Sequence, residues 1–364
     1  MVFSSVILGI ETSCDETSAA VLADGHTLLS HITSSQIDVH HPYGGVVPEI
    51  ASREHCLHID AVVEKAMEEA HLEFRDLSAV AVTYGPGLVG SLLVGVAYAK
   101  ALAFAAGLPL IGVNHLEAHV LVNLLEHPHM EFPLLALLAS GGHTNILYFE
   151  DYLTYRVVGR TRDDAAGEAF DKVARTLNLG YPGGPPIERA AARGNEMAFE
   201  LPRSLLEPGS LDFSFSGLKS AVLNLLNTAR MKGHILNTED VAASFQRAVI
   251  DVLLAKIRLA LDHFPDTRAL ALAGGVAANS ALRQALAVET QGQSRNQGQR
   301  ESRNQSQWQS QRQSQHPYQY LPLYVPSVSL CTDNGAMVAT AGYYYYLADR
   351  VSPWTLNAVP GLGF

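Results

Sequence analysis

The chain has 364 residues, more than one ordinary hydrophobic core supports, and 48% of them are hydrophobic, enough to fill two. Its formal net charge of -11 excludes a protein whose whole surface is a phosphate-binding footprint, so any nucleic-acid contact must be local or supplied by a partner. Three widely spaced cysteines, Cys14, Cys56 and Cys331, exclude a disulfide framework and fit a reducing compartment.

Val6 to Glu11 reads as a buried strand, and Thr17 to Ala23 as a second, closed by an Asp24-Gly25 hairpin turn toward a third over Thr27 to Thr33. Glu11, Asp15 and Glu16 break the N-terminal apolar run, and no basic segment precedes it, so no secretory signal is expected. Glu49 to Ala70 has helical periodicity. Ser78 to Thr83 is a strand and Leu88 to Ala106 a helix; the Tyr84-Gly85-Pro86-Gly87 break keeps this stretch short of the ~20 uncharged residues of a membrane helix. A cytoplasmic protein without a membrane partner is expected. Leu110 to Val113 is a short strand, and Asn114 is placed to cap a helix through Leu125.

The pattern then restarts. Leu134 to Ser140, Thr144 to Phe149 and Tyr155 to Val158 read as strands, followed by helices over Ala165 to Leu177, Gly217 to Ala229 and Val241 to His263. A strand at Ala269 to Ala273, a helix at Ala277 to Ala287, a strand at Tyr320 to Val325 and a helix at Asp333 to Leu347 complete it. Three strands, a helix, a strand and a helix, played twice, predict an α/β protein of two domains with mixed sheets and a cleft between them. The expected boundaries are 1–130, completed by the C-terminal helix 333–364, and 131–332. Residues 290–319, dominated by Gln, Ser, Arg and Asn, are too polar for a core and read as a disordered insertion. Arg295, Arg300, Arg303 and Arg312 make it basic, which fits either a solvated loop or an RNA contact.

His115 and His119 are the sharpest local signal. At i and i+4 of a helix, two imidazoles share one face and reach one divalent ion. A zincin protease carries its catalytic Glu directly after the first His; here Glu117 lies two positions on, about 200° around the helix, so the spacing keeps the metal and argues against a metalloprotease. Asp333, between a strand and a helix, is the candidate third ligand and equally a candidate N-cap. Ser140-Gly141-Gly142-His143-Thr144 and Gly274-Gly275 to Asn279 follow strands, and Gly183-Gly184 is a third glycine pair. Side-chain-free loops of this kind let backbone N–H groups approach a phosphate. Glu11 to Ser18 is unusually rich in polar groups for a turn between two apolar strands, and Glu168 and Asp171 share a helix face. Nothing in the sequence marks Cys14 as an activated thiol.

These motifs, with Gly9 to Asp15, Gly45 to Arg53, Gly85-Pro86-Gly87, Gly167 to Lys172, Phe215 to Lys219 and Cys331 to Gly335, closely resemble the tRNA N6-adenosine threonylcarbamoyltransferase family, once described as O-sialoglycoprotein endopeptidases. The resemblance spans nearly the whole chain. It implies two actin-like (ASKHA, RNase H-like) domains whose sheets face a central nucleotide cleft. It implies that His115, His119 and Asp333 hold one divalent metal ion per subunit, Fe2+ or Zn2+. It implies that Leu138, Ala139, Ser140, Gly141, Gly142, Asp171, Gly184 and Asn279 contact threonylcarbamoyl-AMP, with Glu188 near the same nucleoside. Glu11 and Asp15 lie at the cleft end of the first hairpin, and a proton-accepting role is expected there. Archaeal and eukaryotic members place a metal-binding Tyr where this chain has Leu138, so the resemblance is to the bacterial or organellar type. That type implies tRNA as substrate, with a non-catalytic paralogue subunit and a small ATPase as partners. The other readings are a metal-dependent glycoprotein endopeptidase and a nucleotide-binding scaffold without its own chemistry.

Overall fold

A computed structural model describes residues 3–204, 206–291 and 321–363. In chain order the first half contains strands β1 (Val6–Glu11), β2 (Glu16–Ala23) and β3 (Thr27–Ser35), the short helix α1 (Ile37–His40), and helix α2 (Pro48–Ala70). Strand β4 (Ala79–Gly85), helix α3 (Val89–Ala106), strand β5 (Leu110–Asn114) and helices α4 (His115–Leu121) and α5 (Asn123–Glu126) follow. The second half has strands β6 (Leu134–Ala139), β7 (Thr144–Phe149) and β8 (Tyr155–Arg160), then helices α6 (Ala166–Thr176), α7 (Gly184–Ala191), α8 (Ser216–Met231) and α9 (Thr238–His263). Strand β9 (Ala269–Ala273), helix α10 (Ser280–Thr290), strand β10 (Leu323–Tyr324) and helix α11 (Gly335–Leu347) complete the described elements.

The two sheets repeat one plan. The first runs β3-β2-β1-β4-β5, and the second runs β8-β7-β6-β9-β10. In each, three antiparallel strands are extended by two parallel ones. The central strands Val-Ile-Leu-Gly-Ile-Glu and Leu-Leu-Ala-Leu-Leu-Ala are buried on both faces, as expected of strands with helices packed on each side. Side chains alternate between two cores with the period of a strand. Val6, Leu8 and Ile10 face α2 and α3, while Ile7 joins Leu134, Ala136 and Leu138 of the other sheet in a core shared with α4 and α11. Leu135 and Leu137 face outward against α6 and α9. The layer order is therefore helices, sheet, α4 with α11, sheet, helices.

Several boundaries differ from the sequence reading. The last helix begins at Gly335, not Asp333, and Asn334 is its cap, accepting from Met337 N at 2.9 Å. Asp333 is thereby left outside the helix. Residues 348–363 are not helical; they return along the first sheet, with Ser352 N bonded to Leu110 O and Val359 N to Tyr84 O, both at 2.8 Å. The helix after Asn114 breaks at Val122 into α4 and α5. Helix α7 is new: Pro185 and Pro186 look like breakers, yet proline is tolerated in a first turn, where its missing N–H would be unsatisfied anyway. The Gln/Ser-rich segment expected at 290–319 lies, from residue 292 on, outside the described residues. Helix α3 is long and apolar enough by length and composition to cross a membrane, but Leu92 is buried and Val96, Ala99 and Ala103 are buried in the core between the first sheet and α2.

Helix α11 lies so close to β1 and β2 that two glycines are required. A Cβ at Gly9 would stand 2.3 Å from Ala339 N, and one at Gly335 2.6 Å from the Ala19 carbonyl carbon. Because backbone cannot yield as a flexible side chain does, Gly9→Ala should destabilise the fold by about 3 kcal/mol. A lowered urea midpoint with unchanged slope is the expected result; an unchanged midpoint would show that this contact is looser than described.

Candidate active site

Strand β5 ends at Asn114, whose side chain accepts from Leu116 N at 2.9 Å and starts α4. All seven residues of α4 are buried between the two sheets. His115 and His119 project from one face, their ring centroids 4.6 Å apart and nearly perpendicular at 79°. Asp333 reaches them from the loop before α11. Its Oδ1 lies 3.1 Å from His119 Nε2 and 3.6 Å from His115 Nε2. Ligand atoms of the three residues all fall within 4.8 Å of one another.

Two imidazole nitrogens and one carboxylate oxygen suit Zn2+ or Fe2+ and leave coordination positions free. The surroundings fit a metal as well. Behind His115, its Nδ1 lies 3.3 Å from Glu11 Oε2 and 3.1 Å from Ser13 Oγ, which turns Nε2 toward Asp333. A carboxylate on the far nitrogen is the usual orienting partner of a metal-binding histidine. On the second imidazole, His119 Nδ1 is buried without a hydrogen-bond partner among the described residues. Burial disfavours every charge here, yet the pairing outweighs it. Asp333 and Glu11 push the His115 imidazole above its ordinary value, and in return His115 holds both carboxyls below theirs.

Glu11 is fully buried and fully engaged. Its Oε1 accepts from Ser13 N at 2.5 Å and its Oε2 from Thr83 Oγ1 at 2.6 Å. Asp15 is half-buried at the end of the first hairpin, and burial, with the Asp333 charge, raises its carboxyl. Cys14 beside it is pushed well above the usual thiol range by burial and by the Asp15 charge, which makes it unreactive.

The glycine loops gather around the end of β6. Leu138 and Ala139 are buried in the sheet. Ser140 N bonds His143 O at 2.8 Å, Ser140 O accepts from Gly167 N at the start of α6, and a Cβ at Gly274 would stand 2.5 Å from Ala139 O. Gly141, Gly142 and Gly184 face open space. Asp171 accepts from Gly183 N at 2.6 Å; burial raises its carboxyl, and it feels the charge of Asp15 on the first half. Glu188 and Asn279 form a separate group. Glu188 accepts from Ser280 N at 2.8 Å, and Asn279 caps α10 through Leu282 N while donating to Gln246 Oε1 at 2.8 Å.

Three residues were not singled out from the sequence. Ser13 sits within the polar run already flagged, and Thr83 in a strand gives no local sign of its bond to Glu11. His143 follows the glycine pair; burial, with His115 and His119 nearby, lowers it to about 4, so it is neutral beside the cluster. Glu117 points away from the histidines, and Tyr155 and Tyr345 donate to its two oxygens. No protease-like base therefore faces the metal ligands from α4.

Residues 27–340 match the model of the tRNA N6-adenosine threonylcarbamoyltransferase family. A protein of that name from Desulfitobacterium hafniense (strain Y51) is 61% identical over 358 residues, covering 98% of this chain and 96% of the relative. One from Moorella thermoacetica is 52% identical over 356 residues, with the same coverages. Full-length HypF in its phosphate- and nucleotide-bound form superposes with a TM-score of 0.58 at 15% identity, over 97% of this chain and 57% of that one. Component A of the Acidaminococcus fermentans (R)-2-hydroxyglutaryl-CoA dehydratase gives 0.53 at 14% identity, over 94% and 100%. The solved structures speak for the fold alone, which is the actin-like α/β architecture. Identity above one half along nearly the full length, together with the family match, establishes that the chain belongs to the tRNA N6-adenosine threonylcarbamoyltransferase family.

Proposed function

We propose that this chain transfers the threonylcarbamoyl group from threonylcarbamoyl-AMP to N6 of an adenosine in the tRNA anticodon loop, in tRNAs that read codons starting with A. The observation that carries the reading is the His115–His119–Asp333 cluster, backed by Glu11 and with His143 of the glycine loop near enough to feel both imidazoles. Family membership supports the same reaction. Unstacked anticodon-loop bases can be splayed into a protein cleft.

The reaction is acyl transfer. The adenine N6 amine attacks the carbonyl carbon, the bond to the AMP phosphate oxygen breaks, and N6 loses a proton. A divalent ion held by His115, His119 and Asp333 supplies Lewis-acid polarisation when bound. Backbone N–H groups of Gly141 and Gly142 suit the donor phosphate, and Asp171, Gly184, Glu188 and Asn279 suit its nucleoside. Asp15 would accept the N6 proton in this reading; its half-buried, raised carboxyl supports that role. Glu11, with both oxygens engaged, orients His115 instead. Iron fits the mixed nitrogen–oxygen ligand set as well as zinc does.

The partners follow the same reading: tRNA, a non-catalytic paralogue subunit and a small ATPase, in the cytoplasm. Val89, Leu93 and Phe104 on α3 are exposed apolar residues suited to a protein partner. The endopeptidase reading loses its base to Tyr155 and Tyr345. The scaffold reading leaves a buried two-histidine, one-carboxylate cluster without a purpose.

His115→Ala should lower transfer by more than about 100-fold, since loss of a mere orienting partner already costs 10–100-fold. Mass spectrometry of digested tRNA, with the donor and partner proteins present, reads this out; wild-type product from a folded, metal-free variant would refute the metal's role. Metal binding must also displace a proton from His115, whose imidazole is held above its ordinary ~6.5 by Asp333 and Glu11. Affinity should therefore keep rising with pH above that value. A flat affinity profile between pH 6 and about 8 would contradict this charge arrangement.

A further inference from the structure

Helix α4 carries one acidic side chain that the reaction as proposed does not use. Glu117 is 9% exposed, and each of its carboxylate oxygens has its own tyrosine donor: Tyr155 on Oε1 and Tyr345 on Oε2. The donors come from different parts of the fold. Tyr155 opens β8, an edge strand of the second sheet, with its ring stacked on Phe149 at 4.9 Å. Tyr345 is 7% exposed in α11, with the Arg350 guanidinium 5.5 Å above its ring.

The geometry relates these bonds to the metal ligands. At ~100° per residue, Glu117 projects about 180° from the bisector of His115 and His119. A carboxylate in so buried a place strongly favours the one orientation that keeps its hydrogen bonds. Any rotation of α4 that swings the imidazoles away from Asp333 also pulls Glu117 from its tyrosines. Moreover, Asp333 lies two residues before α11, the helix that bears Tyr345. The Glu117–Tyr345 bond therefore joins, on the far side of α4, the same two elements that the metal ligands join on the near side.

We propose that Glu117, gripped by Tyr155 and Tyr345, is a positioning residue that sets the rotation of α4 and so aims His115 and His119 at the ion they share with Asp333. This rests on the metal reading above and extends it to the opposite face of the helix. Through Tyr155 it ties the ligand geometry to the second sheet, which carries the glycine loops, and through Tyr345 to the first domain.

The test uses full-length Tyr155→Phe, Tyr345→Phe, the double variant and Glu117→Gln, with anaerobic Co2+ as the probe. The double variant should remain folded by circular dichroism, bind Co2+ about tenfold or more weakly, and show a shifted cobalt d–d band. With the partner proteins, its kcat for transfer should fall while KM for tRNA stays near wild type. Glu117→Gln, whose amide oxygen still accepts from one tyrosine, should lie between wild type and the double variant. A double variant with wild-type Co2+ affinity and spectrum refutes the positioning role, even if its Tm drops, because a purely structural bond would move only the Tm. A wild-type chain that binds no Co2+, or a His115→Ala chain that binds it as tightly, instead fails the metal reading and withdraws both.

Discussion

Helix α4 is enclosed between two sheets, and no residue in it is exposed. A short helix in that position must find partners for the polar side chains it carries, because water cannot supply them. It carries three, His115, Glu117 and His119, and His119 Nδ1 is the one buried atom of theirs left without a hydrogen-bond partner among the described residues. The rest of the site follows from partnering them. Asn114 caps the start of the helix, Glu11 and Ser13 back the first histidine, and Asp333 meets both imidazoles. The two tyrosines hold the opposite face. Closing this layer with α11 demands the near-contact of backbones at Gly9 of β1 and Gly335 of α11, so these two glycines serve the placement of Asp333.

The arrangement also divides the labour between the repeated halves. The histidines and Asp333 come from the layer between the sheets. The glycine loops come from the second half, around the end of β6, where Gly167 and Gly274 approach backbone too closely for a side chain. Asp171 in the second half feels the charge of Asp15 in the first. A donor spanning metal and glycine loops would lie across that junction, with its acyl end at the ion and its phosphate at open backbone N–H groups.

Much of this was legible in the sequence because it is local. The alternation of apolar residues in the strands, the glycine pairs after them and the i, i+4 histidines each depend on a few neighbouring residues. The repeated order of elements likewise foreshadowed two sheets of one plan. What local pattern left undecided is long-range. Asp333 is 214 residues from His119, and no local pattern separates a ligand from a cap there. The cap proved to be Asn334, which leaves the aspartate free to turn toward the histidines. Glu117 could be placed away from the metal by angle alone, but its tyrosines lie 38 and 228 residues away in sequence. Helix α7 has no place in the sequence reading, which took Gly183-Gly184 only as a glycine pair; its Pro185 and Pro186 sit in the first turn, where proline is tolerated.

The central claim is that a metal held on α4 and Asp333 acts in acyl transfer to tRNA. The most direct measurement is single-turnover transfer from threonylcarbamoyl-AMP to unmodified tRNA by one preparation, stripped of metal and then reloaded with Fe2+ or Zn2+, with the partner proteins present throughout. The account predicts that transfer is lost on stripping and returns on reloading. Transfer at the full rate by the stripped protein would contradict it.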